Sequence, residues 1–240
     1  MTKQRLDIVL TQRGLSASRS QSESLIKLGK VTINGRVVIK PGHFVGPNAD
    51  IKLIAEVQYV SRAGLKLASV ANKLNLNFKD KIILDVGSST GGFTDFALRH
   101  GAKKVYAVDI GTEQLHPSLR RDKRIELHEK TDINDFSLSV MPDIVLIDVS
   151  FISLRDILPH INKHLSDEHT QIVAMIKPQF EAYKDQVNKG IMKNDAMRRQ
   201  ILRDFEDWSR KYFVIINKRD SDIAGAKGNH ERFYLLKILT

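Results

Sequence analysis

The chain has 240 residues, 42% of them apolar, no cysteine and a formal charge of +10. Its length and apolar content suffice for one sizeable core and a small second unit, the missing thiols exclude disulfides, thiolate metal sites and cysteine nucleophiles, and the positive balance favours an anionic partner, nucleic acid first. No stretch approaches the ~18 apolar residues of a membrane span, and MTKQRLDIVLTQRGL has neither an apolar core nor a small-residue cleavage site, so a soluble, cytoplasmic protein is expected.

Residues 1–57 carry nine Lys/Arg against four acids. Leu6, Val9 and Leu10 stand at helical spacing and Gly14 supplies a left-handed stop, which predicts a short first helix. A second is predicted from near Ser18 to Gly29. In VTINGRVVI, Asn34-Gly35 between two β-branched runs predicts a type I′ hairpin, because that turn needs positive φ at both positions. Pro41-Gly42 ends the unit. Two short helices and a hairpin can present Arg5, Arg19, Lys27 and Lys30 to RNA phosphates; a solvated basic face is the alternative.

From Ser61 the period changes. Leu65, Leu67, Ala68, Ala71 and Leu74 lie on roughly one helical side, with Ser61 as a cap. The expected domains are therefore 1–57 and 58–240, with 58–60 as linker. Apolar runs at 81–86, 104–109, 143–148, 171–176, 212–217 and 232–239 then alternate with helical segments. That alternation predicts an α/β fold, a doubly wound and mostly parallel sheet whose ligands bind outside the carboxyl ends of its strands.

The loop after the first strand of such a sheet brings ligand against backbone, so glycine is needed where a Cβ would collide. ILDVGSSTGGFTDFAL offers Gly87, Gly91 and Gly92 as G-x-x-x-G-G, with Ser88 in the same turn. This is neither the dinucleotide pattern nor the P-loop, and a nucleoside without a pyrophosphate suits it better. Asp109 closes VYAVDI where an acid accepts hydrogen bonds from ribose hydroxyls. Asp85 stands in register with it, and Asp132, in KTDIND after the third strand, is placed to approach an adenine amino group. S-adenosylmethionine is the expected cofactor; a tight turn beside solvated acids is the plainer reading.

Asp148 closes the run PDIVLIDVSF, and Lys177 stands at the corresponding edge in IVAMIKPQF. A lysine at the end of a buried strand is costly unless paired or functional, and Asp148 can pair with it. Lys66, on the helix before the first strand, and Glu231, entering the last strand in NHERFYLL, can converge on the same rim. Methyl transfer to a ribose hydroxyl needs a poor nucleophile to lose its proton as it attacks a sulfonium methyl in line. A lysine held by acids and a second lysine can assist that loss; taken singly, each of the four also reads as an ordinary ion pair. Phe151 reads either as a stacking platform for a target base or as a core phenylalanine. The eight histidines show no ligand spacing such as His-Glu-x-x-His, so no metal is expected.

The segments RLDIVLTQRGLSASRSQSESLIKLGKVTINGRVVIKPG, YVSRAGLKL, LDVGSSTGGFTD, DVSFISL, IKPQFEA and GNHERFYLL resemble the TlyA-type, or haemolysin A, RNA ribose methyltransferases over nearly the whole chain. The resemblance implies an S-four RNA-binding domain followed by an FtsJ-like, Rossmann-like methyltransferase domain with a seven-stranded sheet. It implies Lys66, Asp148, Lys177 and Glu231 as the catalytic set, and Asp85, Gly87, Asp109 and Asp132 at the cofactor. It also implies 2′-O-methylation of cytidine, with ribosomal RNA or ribosomal subunits as partners. Two positions depart from the family: Ala63 stands where glycine is frequent, and His230-Glu231-Arg232 is more polar than the usual closing strand. A methyltransferase for another RNA or for a base nitrogen is the alternative. The lytic activity suggested by the family's older name would call for a long apolar or amphipathic segment, and none is visible.

Overall fold

The computed structural model of the chain describes residues 3–53, 59–182, 192, 194–225 and 228–239. The chain divides into two compact units, Met1–Gln58 and Tyr59–Thr240. The expected boundary at 57/58 and the first residue of the expected linker lie outside the described residues.

The first unit runs β1 (Gln4–Arg5), α1 (Leu6–Gln12), α2 (Arg19–Lys27), β2 (Val31–Ile33), β3 (Arg36–Val37), β4 (Phe44–Val45) and β5 (Ile51–Leu53). Helix α1 stops before Gly14, whose φ is +68°, and the Ser18 hydroxyl caps α2 by accepting from Gln21 N at 3.2 Å. Asn34 and Gly35 both take positive φ, 50° and 78°, as the type I′ hairpin between β2 and β3 requires. Strand β2 pairs antiparallel with β3 and β5. Leu6, Leu10, Leu25, Ile26 and Val31 are buried together as the core of this unit.

The second unit runs α3 (Arg62–Ala71), β6 (Ile82–Val86), α4 (Gly92–Arg99), β7 (Lys104–Val108), β8 (Ile125–His128), β9 (Ile144–Ile147), α5 (Leu154–His164), β10 (Gln171–Ile176), α6 (Pro178–Glu181), α7 (Asp195–Ser209), β11 (Phe213–Asp220) and β12 (Arg232–Ile238). Its seven-stranded sheet has the order β11-β12-β10-β9-β6-β7-β8. Only β12 runs antiparallel to its neighbours β10 and β11; the other pairings are parallel. The core is layered on this sheet, with Leu84, Ile147, Ala174 and Tyr234 from four strands packed with Leu158 and Phe205 from the helices.

Two local features differ from the sequence reading. Strand β8 is absent from the apolar runs because it is an edge strand with charged or polar alternate positions, Glu126 and His128. Ser61 occupies the N-cap of α3 but makes no capping bond, and its hydroxyl is buried without a partner.

Candidate active site

The chain leaves β6 to one side through β7 and β8, and later returns to the other side through β9 and β10. Such a reversal opens a crevice at the carboxyl ends of the two central strands. Register pairs Val86 with Ile147, so Gly87 and Asp148 emerge side by side. Gly87 has φ +77°, and a Cβ there would lie 2.8 Å from the Asp148 carbonyl oxygen. Glycine is required at this point because two backbones nearly touch.

A cavity of about 590 Å³ opens here, lined among others by Gly87, Ser89, Asp109, Ile110, Asp132, Asp148, Ser150 and Phe151. Asp109 is fixed by two amides, Ser89 N and Gly111 N, each at 2.7 Å from one of its oxygens. A carboxylate has further lone pairs on each oxygen, so Asp109 retains acceptor capacity toward a ribose. Asp132 accepts from Asn134 N at 2.9 Å through one oxygen, capping the 3₁₀ turn Ile133–Asp135. Asp85 lies beneath this floor, 1% exposed. Its Oδ2 accepts from the Thr94 hydroxyl at 2.6 Å, while Oδ1 has no partner. Burial pushes its carboxyl up to about 7, against the Thr94 hydrogen bond and with the Asp148 and Asp109 charges adding to the rise.

The four residues implied as catalytic form two ion pairs. Lys177 Nζ lies 2.6 Å from Asp148 Oδ1 and donates to Ser150 Oγ at 2.7 Å. Lys66 Nζ lies 2.5 Å from Glu231 Oε2. Ile176 of β10 is in register with Arg232 of β12, so Lys177 and Glu231 leave adjacent strands at the same edge. Lys66 reaches that edge because α3 is tied to the segment entering β12: Arg62 Nη2 donates to Ala224 O at 2.6 Å, and Lys73 pairs with Asp222 at 2.8 Å. All four side chains are largely buried, and charges in such places persist only when paired. The polar His230-Glu231-Arg232 stretch thus puts Glu231 into an ion pair, and Arg232 pairs outward with Asp220 at 2.6 Å.

Gly91 and Gly92 face protein. Gly91, at φ +89°, would place a Cβ 2.5 Å from Leu119 Cδ1, and Gly92 would place one 2.8 Å from Gly64 N. Ser88 is buried with an unpartnered hydroxyl. Neither these three residues nor Asp85 line the cavity wall. Phe151 is no core residue: it is 91% exposed, takes φ +68°, lines the cavity and lies 5.1 Å from the Phe180 ring.

Two supporting residues escaped the sequence reading. Gly64 would place a Cβ 2.9 Å from Gly92 O, so the α3–α4 approach that carries Lys66 rests on two facing glycines; the G in SRAGLKL was the signal. Glu181, in IKPQFEA, has a buried side chain that accepts from Ser153 Oγ at 2.6 Å and Leu154 N at 2.7 Å. Burial raises its carboxyl, with those two hydrogen bonds opposing. It joins the turn after Lys177 to the start of α5, a few residues beyond Asp148.

In the first unit, Arg5 and Arg19 both bond to Asp7, while Lys27 and Lys30 are exposed. Among the described residues no helix is long and apolar enough to cross a membrane, and no group of three or more His, Asp or Glu is placed to hold a metal ion.

Residues 59–238 match the FtsJ-like methyltransferase family and residues 4–51 match the S4 domain. The chain is 40% identical to Hemolysin A of Brachyspira hyodysenteriae, over 95% of its own length and 97% of that protein's. It is 34% identical to the 23S rRNA (cytidine-2′-O)-methyltransferase TlyA of Campylobacter jejuni, over 96% and 98% of the two lengths. A solved structure of a Streptococcus thermophilus protein called a hemolysin superposes with a TM-score of 0.72 at 37% identity, covering 99% of this chain and 89% of that one.

Proposed function

Because the chain belongs to the FtsJ-like methyltransferase family and carries an S4 domain, we propose that it methylates the ribose 2′-hydroxyl of a cytidine in ribosomal RNA, with S-adenosylmethionine as methyl donor. The observation that carries the reading is the Lys177–Asp148 pair on the cavity rim, with Lys66–Glu231 one strand away. A relative named for cytidine 2′-O-methylation of 23S rRNA, matching over nearly its full length, supports the substrate. Residues 1–57 grip RNA through Arg5, Arg19, Lys27 and Lys30, and residues 58–240 carry the chemistry.

The residues present fit a nucleoside cofactor. Asp109 retains acceptor capacity beside the cavity, Asp132 lines the same cavity, and beneath it Asp85 Oδ1 is a buried acceptor without a donor. Gly87 and Ser89 bring the turn to the cavity, while Gly91 and Gly92 pack that turn against protein. When bound, S-adenosylmethionine supplies a methyl group on a sulfonium centre. The protein's part is to place the 2′-oxygen and remove its proton. Lys177 donates to Ser150 and pairs with Asp148, so its amine is held on the cavity rim where, once deprotonated, its lone pair can take the hydroxyl proton. Asp148 holds the resulting ammonium. Lys66 and Glu231 set the charge of the neighbouring strand end.

Mapping ribose methylation in rRNA from cells with and without the protein tests this directly: one 2′-O-methyl cytidine should vanish. The exposed Phe151 favours a second reading, methylation of a base nitrogen on a base stacked there. A methyl group found on a base nitrogen would replace the ribose reading with that one.

A further inference from the structure

Asp7, in the first turn of α1, is the most deeply buried acid among the described residues of the first unit, at 0% exposure. Its Oδ1 accepts from Arg5 Nε at 3.0 Å and Ile8 N at 3.1 Å. Its Oδ2 accepts from Arg5 Nη2 at 2.8 Å and Arg19 Nε at 2.9 Å. One carboxylate thus gathers two guanidinium groups from separate elements, β1 and the start of α2. The loop before β4 packs onto the same cluster: Leu6 N donates to His43 O at 2.8 Å, and a Cβ on Gly42 would lie 3.6 Å from Arg5 Cζ. The guanidinium hydrogens left over, on Arg5 Nη1, one on Arg5 Nη2 and those on both Nη atoms of Arg19, belong to side chains that are 40% and 54% exposed. Arg5, Arg19 and Asp7 sum to one positive charge, and Glu23 stands 3.8 Å from Arg19 Nε at the edge of the cluster.

We propose that Asp7 is a positioning residue that presets Arg5 and Arg19 as a two-pronged clamp for RNA phosphodiesters. The inference rests on the reading above that these arginines contact RNA. A free surface arginine must give up rotamer freedom when it grips a phosphate; Arg5 and Arg19 have already given it up to Asp7. Their planar forks then meet phosphate oxygens in a fixed geometry. Asp7 also carries a negative charge, which by Coulomb's law repels the same phosphates. Positioning and simple charge therefore predict opposite signs for its removal.

The test is a salt series of binding to a transcribed 23S rRNA, using the full-length protein. Asp7→Asn raises the net charge by one, so charge alone predicts tighter binding and a steeper salt slope. The clamp predicts binding weaker by roughly tenfold, with the log-log slope shallower by about 0.7–0.9 for each phosphate no longer gripped. Arg5→Ala and Arg19→Ala should each weaken binding and lower the slope. If neither arginine variant does so, the RNA-binding reading of these residues fails. If both do while Asp7→Asn binds as tightly as the parent or tighter, the positioning role is overturned. Should Asp7→Asn unfold the unit, Arg19→Lys decides: it keeps the charge but replaces the planar fork held at Asp7 by a flexible point charge, so undiminished affinity overturns the clamp.

Discussion

Asp7 in the small unit and Asp85 in the sheet are equally cut off from water, at 0% and 1% exposure, yet they are driven in opposite directions. Burial raises both carboxyls. At Asp7 the hydrogen bonds and charges of Arg5 and Arg19 overcome it and hold the group at about 2. At Asp85 only Thr94 opposes burial, through its hydroxyl and its backbone, and two nearby aspartates add to the rise, leaving the group at about 7. Burial sets the cost of a charge and the partners decide whether the charge is kept. Asp7 is complete as it stands, with four donors on two oxygens. Asp85 keeps one buried oxygen without a donor, beneath a cavity it does not line, and unsatisfied, shifted groups of that kind cluster near functional sites. The two regions should therefore respond differently to damage: the sheet edge in chemistry, the small unit in grip and acid stability.

The largest effect is expected at the sheet edge. Lys177→Ala removes the group placed to take the 2′-hydroxyl proton, so turnover should fall by roughly 10² to 10⁴. RNA affinity should change much less. Lys177→Arg keeps the charge but cannot lose a proton near neutrality. A fully active arginine variant would make Lys177 an electrostatic group and end its assignment as base.

Gly64→Ala tests whether the second pair depends on helix spacing. The new Cβ would stand 2.6 Å from Tyr59 Cβ and 2.9 Å from the Gly92 carbonyl oxygen, so α3 must shift and carry Lys66 away from Glu231. Overpacking of this kind costs about 1–3 kcal/mol, partly offset by about 1 kcal/mol of helix propensity. Turnover should drop about tenfold with only a modest loss of stability. Parent-like kcat in this variant would show that the Lys66–Glu231 pair tolerates the shift.

How much of this was readable in the sequence follows the range of the interactions. The hairpin at Asn34-Gly35, the Ser18 cap and the strand-end positions of Asp148 and Lys177 rest on spacings of a few residues. The Lys66–Glu231 pair joins residues far apart in the chain, so pattern brought both to one rim and the family resemblance put them in one catalytic set, but neither paired them. Asp7 stood in the sequence as one acid in a charge tally. Its burial comes from the chain at 41–43 and from Arg19, packing that no periodicity announces. Strand β8 was hidden because an edge strand need not be apolar, and the unbonded Ser61 shows that a residue type suited to capping does not guarantee the bond. Phe151 was undecidable from type alone; exposure settled that it is not core.

Asp85→Asn should change the pH dependence of stability. An unfolded aspartate ionises near 3.9 and folded Asp85 near about 7. Between those values the unfolded chain releases a proton that the folded chain keeps, so this group's contribution to stability falls as pH rises from about 4 to about 7 and is level above that. The asparagine variant should lose that fall, as read from urea midpoints across the range. Its affinity for S-adenosylmethionine should change only modestly, because Asp85 lies beneath the cavity and does not line it. An unchanged pH profile would mean that Asp85 ionises normally.

The smallest effect is expected from acid on the small unit, and it has the opposite sign. Asp7 ionises at about 2 when folded and near 3.9 when unfolded. Its contribution is fully present above about pH 4 and is lost as pH falls toward 2, because the unfolded chain takes up a proton that the folded chain refuses. The partners Arg5 and Arg19 are about half exposed, so solvent screens part of the effect and only the acid limb of a stability curve should show it. A carbon-13 NMR titration of the aspartate carboxyls reads both regions in one experiment, with Asp7 titrating well below the ordinary range and Asp85 well above it. A midpoint near 4 for Asp7 would mean that the two arginines do not hold its charge. A carboxylate that does not hold the arginines cannot preset them for phosphate, so that one midpoint would remove the clamp as well.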